Sequence, residues 1–435
     1  MQKQTNQLDL TAKILQKYLH FGYLVMLVPF KGRHIPCGRF EFVYRGATSK
    51  FTMLAVQILC FCNQAWCLAF YHLIFTRHND INKTIRVTIT LPTIAYNSVL
   101  VFILWNKKSD YEELLNRVRS ITEKLNALGA RLPSKTCINV GILFVISHTV
   151  LSVTLDVMIS GWNQAKALDT NGNTGNTYPY GSYTEILTLL NVDSSSAVSY
   201  SIAILSTCLK TYEHLITRYA DQLCLTLVIS LYMITRCLLN FLADFEKSNP
   251  KHKDVINVIN DIFDISDMIE EIHGLLIFWC CFSFLPYYSY MIKEVYRNTP
   301  GSRPQFATYI LTFNLVMWIS AETNSKINGV ASWLRKTSAT RNAGQMELCD
   351  RIYEDQINII LHQISFGGFG IKGKAFTITY GLVGSGIPIK DDRPEVQSII
   401  VGTSKYIVLT LQVHVQSAPL SAYTSFEKAH AQGFI

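Results

Sequence analysis

The sequence predicts an all-α polytopic membrane protein with seven transmembrane helices, its N-terminus cytosolic and its C-terminus extracellular. Three observations predict this. Hydrophobic residues make up 49% of the 435 and charged residues only 16%, against roughly 25% charged in soluble globular chains. The apolar residues gather into blocks near the length that a bilayer demands of a helix, about 20 residues. The basic residues lie between those blocks, so the net charge of +8 reads as cytosolic loops and not as a nucleic-acid surface.

The polar N-terminus carries no secretory signal, and its first apolar run, Tyr18 to Phe30, is too short to span and lacks a small-residue cleavage site. Apolar blocks follow at about 51–75, 85–105, 138–160, 186–207, 223–243, 274–292, 306–321 and 399–415. In hydrocarbon they must be helices, because backbone groups find no water there. Two of them conflict. The 186–207 block contains Asn191, Asp193 and Ser194 to Ser196; the 223–243 block contains Arg236. Counting both as spans flips every later loop.

Loop charge resolves the parity. Eight Lys/Arg lie in residues 1–50, seven in 106–137 and seven in 322–374, but only Lys166 in 161–185 and only Lys428 after Gln416. The positive-inside rule places the basic stretches in the cytosol and the other two outside. One of the two blocks then spans, and 186–207 is taken as the fourth helix, running on into the cytosol with 223–243 packed on protein. The eleven cysteines all avoid the outside loops, so no disulfide framework is expected. The sequon Asn82-Lys83-Thr84 falls in the first outside loop.

The cytosolic stretches carry helical patterning. Val255, Val258, Ile259, Ile262, Ile265, Ile269 and Ile272 share one spacing, with carboxylates on the other faces; Tyr111, Leu114, Leu115, Val118, Ile121 and Leu125 share another; Ile352, Ile357, Ile360, Leu361 and Ile364 a third. These predict helices that extend into the cytosol and bundle there.

No P-loop, HExxH, GxSxG or CxxC motif occurs, and the histidines lack ligand spacing. Enzymatic activity, a cofactor and a bound metal are therefore not expected. Ionisable residues in spans are candidates for function. Asp156, near the outer end of the third span, reads equally as an interfacial carboxylate. His148 reads best as a neutral side chain bonded between helices. Tyr71, Tyr96, Asp156, Trp162, Tyr287 and Tyr288 fall in the outer halves of the helices. They are candidates for lining a small-molecule pocket open to the outside; an aromatic interfacial belt is the competing reading.

The C-terminal segment Lys405-Tyr406-Ile407-Val408-Leu409-Thr410-Leu411-Gln412-Val413 resembles the signature of insect gustatory receptors: Thr-Tyr, five mainly hydrophobic residues, then Gln-Phe. Upstream, QINIILHQISFGGFGIKGKAFTITYGLVG resembles the approach to that family's last helix. The resemblance implies a tastant-gated, non-selective cation channel in the plasma membrane, built from four like or mixed gustatory receptor subunits. Residues 1–50 would be the cytosolic N-terminal segment and 51–325 helices 1–6, the ligand-binding bundle. Residues 326–384 would form the cytosolic anchor and the first part of helix 7, 399–416 its pore-lining part, and 417–435 an extracellular tail. Tyr406, Thr410 and Gln412 would line the pore, where a Gln amide can face a passing ion. A seven-helix G-protein-coupled chemoreceptor would need the opposite orientation. A solute transporter would show internal repeats, and none is seen.

Three departures stand out. Lys405 replaces the signature Thr, Val413 replaces Phe, and residues 385–398, SGIPIKDDRPEVQS, split the last apolar segment with two prolines and five charges. Such an insertion opposes a continuous pore helix. Deleting 385–398 is expected to increase ligand-evoked current; equal currents from the two forms would refute this.

Overall fold

The computed structural model describes residues 10–34, 39–77, 81–169, 197–243, 252–296, 302–341, 355, 357–362, 372–373 and 376–377. All of them belong to one compact unit, Met1–Ile378. The 385–398 insertion, the segment 399–416 and the 417–435 tail lie outside the described residues.

The described chain is helical, with one short hairpin near its start. Helix α1 (Leu10–Leu24) leads into strands β1 (Phe30–His34) and β2 (Phe40–Tyr44). Then come α2 (Ala47–Arg77), α3 (Ile81–Asn106), α4 (Lys108–Leu128), α5 (Lys135–Asp169), α6 (Ala197–Ala243), α7 (His252–Tyr296) and α8 (Ser302–Arg341). A two-residue pairing of β3 (Lys372–Gly373) with β4 (Phe376–Thr377) follows. The apolar blocks at 51–75, 85–105, 138–160, 274–292 and 306–321 lie inside α2, α3, α5, α7 and α8. The sequon at Asn82 opens α3.

The described part of the 186–207 block, from Ala197 on, and the 223–243 block lie in one helix. α6 is 47 residues long, which at 1.5 Å per residue is about 70 Å. Its stretch long and apolar enough to cross a membrane is Cys208–Ala243. Arg218 of that stretch lies against Asp156, near the outer end of the third predicted span. The 186–207 block, taken as the fourth helix, enters the described structure only from Ala197, and residues 186–196 lie outside the described residues. Arg218 and Asp221 of this stretch find partners on other helices, and Glu213 pairs with Lys210 one turn back on the same helix. α5 also contains a segment of crossing length, Lys135–Met158. Its Val140, Leu143, Val150, Leu151 and Met158 remain exposed, an apolar surface that fits lipid and not water.

The predicted cytosolic helices bundle. All seven patterned residues from Val255 to Ile272 are buried, as are all six from Tyr111 to Leu125, and Ile357 and Ile360. α4 and α7 run antiparallel. Lys107 pairs with Glu271 at 3.6 Å, Arg117 with Asp264 at 3.0 Å and Lys124 with Asp261 at 2.6 Å. Exposed pairs contribute at most about 1 kcal/mol each, and a buried isoleucine roughly 1.5–3 kcal/mol, so the apolar seam holds the pair and the charges set its register. His273 sits in that seam, 5.2 Å from the Tyr111 ring. Burial pushes its imidazole down to about 3, which keeps it neutral. α4 ends where Gly129 turns left-handed (φ 93°) and its N–H reaches Asn126 O while Ala130 N–H reaches Leu125 O.

The N-terminal segment is more built than its composition announced. The hairpin pairs Phe30 with Tyr44 through His34 with Phe40, and Phe40 and Phe42 alternate inward. It is fastened to α4: Asn116 accepts from Phe40 N–H at 2.9 Å and donates to Phe40 O at 3.1 Å, and Glu112 accepts from Phe42 N–H at 3.0 Å. On α1, Ile14, Leu15, Tyr18 and Leu19 form one buried face. Tyr18 stacks on Tyr219 of α6, centroids 4.6 Å apart and planes 9° apart, and its hydroxyl lies 3.1 Å from Thr149 Oγ1 of α5. Part of the stretch read as a cytosolic N-terminal segment therefore packs beside the middle of the third span, because an amphipathic helix buries its apolar face wherever a partner exists.

Gly22 permits this contact. A Cβ there would lie 2.6 Å from both Tyr219 Cζ and Val28 Cγ2. Gly22→Ala is expected to loosen α1 from α6 and to cost about 1–3 kcal/mol. A lower thermal unfolding midpoint in detergent, with faster amide exchange in α1, checks this.

Candidate functional site

Five helices deliver polar side chains to one buried place. Arg218 of α6 is 6% exposed and Asp156 of α5 is 2% exposed. The guanidinium grips Asp156 with two donors: Nε to Oδ2 at 2.9 Å and Nη2 to Oδ1 at 3.2 Å. Nη1 donates to Asp221 Oδ2, one helical turn on, at 3.3 Å, and Nη2 to Tyr287 Oη of α7 at 2.7 Å. Tyr96 of α3 donates to Asp221 Oδ1 at 2.9 Å, and Gln305 of α8 donates to Tyr287 Oη at 3.0 Å. Four of the five guanidinium N–H groups are thus used. The rings of Tyr287 and Tyr309 stand 5.3 and 5.4 Å from Arg218 Cζ.

A second layer follows one turn along α6. Gln222 Nε2 lies 2.9 Å from His148 Nδ1 and donates to Thr312 Oγ1 at 3.0 Å. Nδ1 therefore accepts, Nε2 carries the proton, and His148 is neutral, bridging α5 and α6. This is the arrangement expected of it from sequence. Among the described residues, Gln222 Oε1 and His148 Nε2 have no hydrogen-bond partner. Thr217 donates to Asn97 Oδ1 of α3 at 2.9 Å.

The electrostatics follow from the count. Two carboxylates face one guanidinium, a formal charge of −1 when both are ionised. His214 Nδ1 lies 3.6 Å from Asp156 Oδ2. Charge in a low-dielectric interior is tolerated only where it is paired and hydrogen-bonded. The tyrosine hydroxyls and the fork geometry meet that condition here.

Three of the six pocket candidates, Tyr96, Asp156 and Tyr287, come together around Arg218 and Asp221. Asp156 is not a carboxylate reaching toward headgroup water; it is shielded and paired. Tyr71, Trp162 and Tyr288 lie in α2, α5 and α7, and their side chains lie outside the description. Tyr406, Thr410 and Gln412 lie outside the described residues. Arg236 is exposed. Arg218 and Asp221, the centre of the cluster, escaped sequence reasoning because they sit between two apolar blocks. The signal available was their spacing, an Arg and an Asp three apart in a stretch whose flanks are both helical.

Removing Arg218 leaves two buried carboxylates without their cation, whereas Asp156→Asn leaves Arg218 paired with Asp221. Arg218→Met is expected to cost about 3–5 kcal/mol, Asp156→Asn less, and the double variant Asp156→Asn/Arg218→Met to recover part of the Arg218→Met loss. Thermal unfolding of the single and double variants in detergent measures the cycle.

No protein-family model matches the chain, and no curated protein matches it. Among solved structures, the chain is similar to the insect olfactory receptor OR5 from Machilis hrabei, at 13% sequence identity and a TM-score of 0.54. The likeness covers 93% of this chain and 97% of that one. The arrangement of helices that brings Arg218, Asp156 and Asp221 together is thus the fold of an insect olfactory receptor.

Proposed function

We propose that this chain is a subunit of an insect chemoreceptor channel: a ligand-gated, non-selective cation channel of the plasma membrane, gustatory in kind and opened by a small-molecule tastant. The observation that carries the reading is the likeness to an insect olfactory receptor along nearly the whole chain. The gustatory assignment draws on the Tyr406 and Gln412 spacing of the C-terminal signature. In this reading four subunits, alike or mixed, surround a pore lined by Tyr406, Thr410 and Gln412.

The orientation follows from the same parity argument. With 197–207 and 223–243 in the single helix α6, the two blocks are counted as one crossing. The basic stretches then fall on one side, the N-terminus inside and the tail outside. The buried cluster around Arg218 suits a gating role. It ties α3, α5, α6, α7 and α8 through groups that can exchange hydrogen bonds with a polar ligand, so that ligand binding and helix rearrangement share the same atoms.

The test is expression in cells alone and with other gustatory receptor subunits, with calcium influx read across a tastant panel. Influx that persists under G-protein blockade is expected. Asp156→Asn should shift the ligand concentration needed, and Gln412→Leu should alter ion selectivity. Accessibility of an N-terminal tag to antibody on intact cells, or a response lost with G-protein blockade, would defeat the reading.

A further inference from the structure

The corner where the hairpin, α2 and α4 meet carries cations with no carboxylate to neutralise them. Lys50 Nζ stands 3.7 Å from the centroid of the Tyr44 ring, and Lys108 Nζ stands 4.8 Å from the same centroid. Among the described residues neither lysine pairs with an acid. Of the carboxylates near Lys108 in sequence, Asp110 pairs with Lys107 at 2.8 Å and Glu112 accepts from the Phe42 N–H, while Glu41 stands opposite Arg33 in the hairpin register. Arg45, next to Tyr44, lies 3.7 Å over the Tyr23 ring, donates to Val28 O and Ser49 Oγ, and keeps Nη2 shielded from solvent without an acceptor. Tyr44 itself is exposed.

An apolar row begins at the residue after Lys50. Phe51 is 74% exposed, and Leu54 and Ile58 are also exposed; their spacing puts them on one side of α2. Phe102 of α3 is exposed as well. Its neighbour one turn on, Trp105, donates to Gln57 Oε1 at 2.8 Å, which holds that end of α3 against α2. Paired cations at the foot of an uncovered apolar row match one kind of molecule: an anionic headgroup with acyl chains attached. A free phosphate would use the lysines and leave the row bare. The location also fits, since the hairpin and α4 lie on the basic, cytosolic side of the chain, where the leaflet is anionic.

We propose that Tyr44, Lys50 and Lys108 form a binding site for the headgroup of an anionic phospholipid of the cytosolic leaflet, with its acyl chains along Phe51, Leu54 and Ile58. The site depends on the inside placement of the hairpin and not on which ligand opens the channel.

The full chain in phosphatidylcholine nanodiscs containing labelled phosphatidylserine, or labelled phosphatidylcholine as the neutral probe, tests this. The lipid retained per protein after mild detergent extraction is the readout. Retention of phosphatidylserine over phosphatidylcholine is expected, falling about fivefold for each lysine removed in Lys50→Ala and Lys108→Ala. The Lys50→Arg/Lys108→Arg variant should retain it, and Lys124→Ala, whose ammonium pairs with Asp261, should change nothing. Inorganic phosphate should not displace the lipid. Equal retention of both lipids by the unmodified chain would overturn the proposal, and that comparison needs no variant to fold. So would unchanged retention in the doubly alanine-substituted chain, or displacement by inorganic phosphate. None of these readouts involves a tastant or a current.

Discussion

The Arg218 guanidinium is the point to which the bundle is tied. It takes two donors to Asp156 and one each to Asp221 and Tyr287, and its neighbours draw in Tyr96 and Gln305. A buried pair of this kind adds little net stability over an apolar replacement. Its effect is on geometry. Ions shielded from water must keep their partners at bonding distance, so the helices that supply those partners are held in one register. The neighbouring residues extend the constraint: Tyr219 stacks on α1, and Gln222 bridges α5 and α8.

Two kinds of surface then meet different solvents. The α4–α7 seam buries isoleucines and leaves its ion pairs exposed, as a bundle in water does. α5 leaves Leu143, Val150 and Met158 uncovered, as a helix against lipid does. The hairpin sits between these regimes, fastened to α4 by Asn116 and Glu112 and followed by the basic and apolar face of α2.

Periodicity alone identified what is local. The apolar spacing of 111–125 and 254–272 placed both helices and their buried faces, because a helix repeats its environment every turn and a core face must be apolar. His148 was also legible, since a histidine in a span has few alternatives to a neutral interhelical bond. The extent of α6 was not. Arg218 and Asp221 break the apolar pattern, and hydropathy along the chain carries no sign that Asp156, Tyr96 and Tyr287, each far away in sequence, will satisfy them. The hairpin escaped for a similar reason: two five-residue strands make a weak signal, and theirs is stabilised by the side chains of α4.

The sequence by itself determined that this is a helical chain with apolar blocks of membrane-crossing length and basic residues between them, because charge and hydropathy act residue by residue and need no partner. It also named the candidates Tyr96, Asp156 and Tyr287. Only the tertiary structure decided that these three come together, that Arg218 and Asp221 are at their centre, and that residues 197–243 form one helix. The reason is the same in each case: a charge can be buried only when its partner is beside it, and adjacency across helices is a property of the fold.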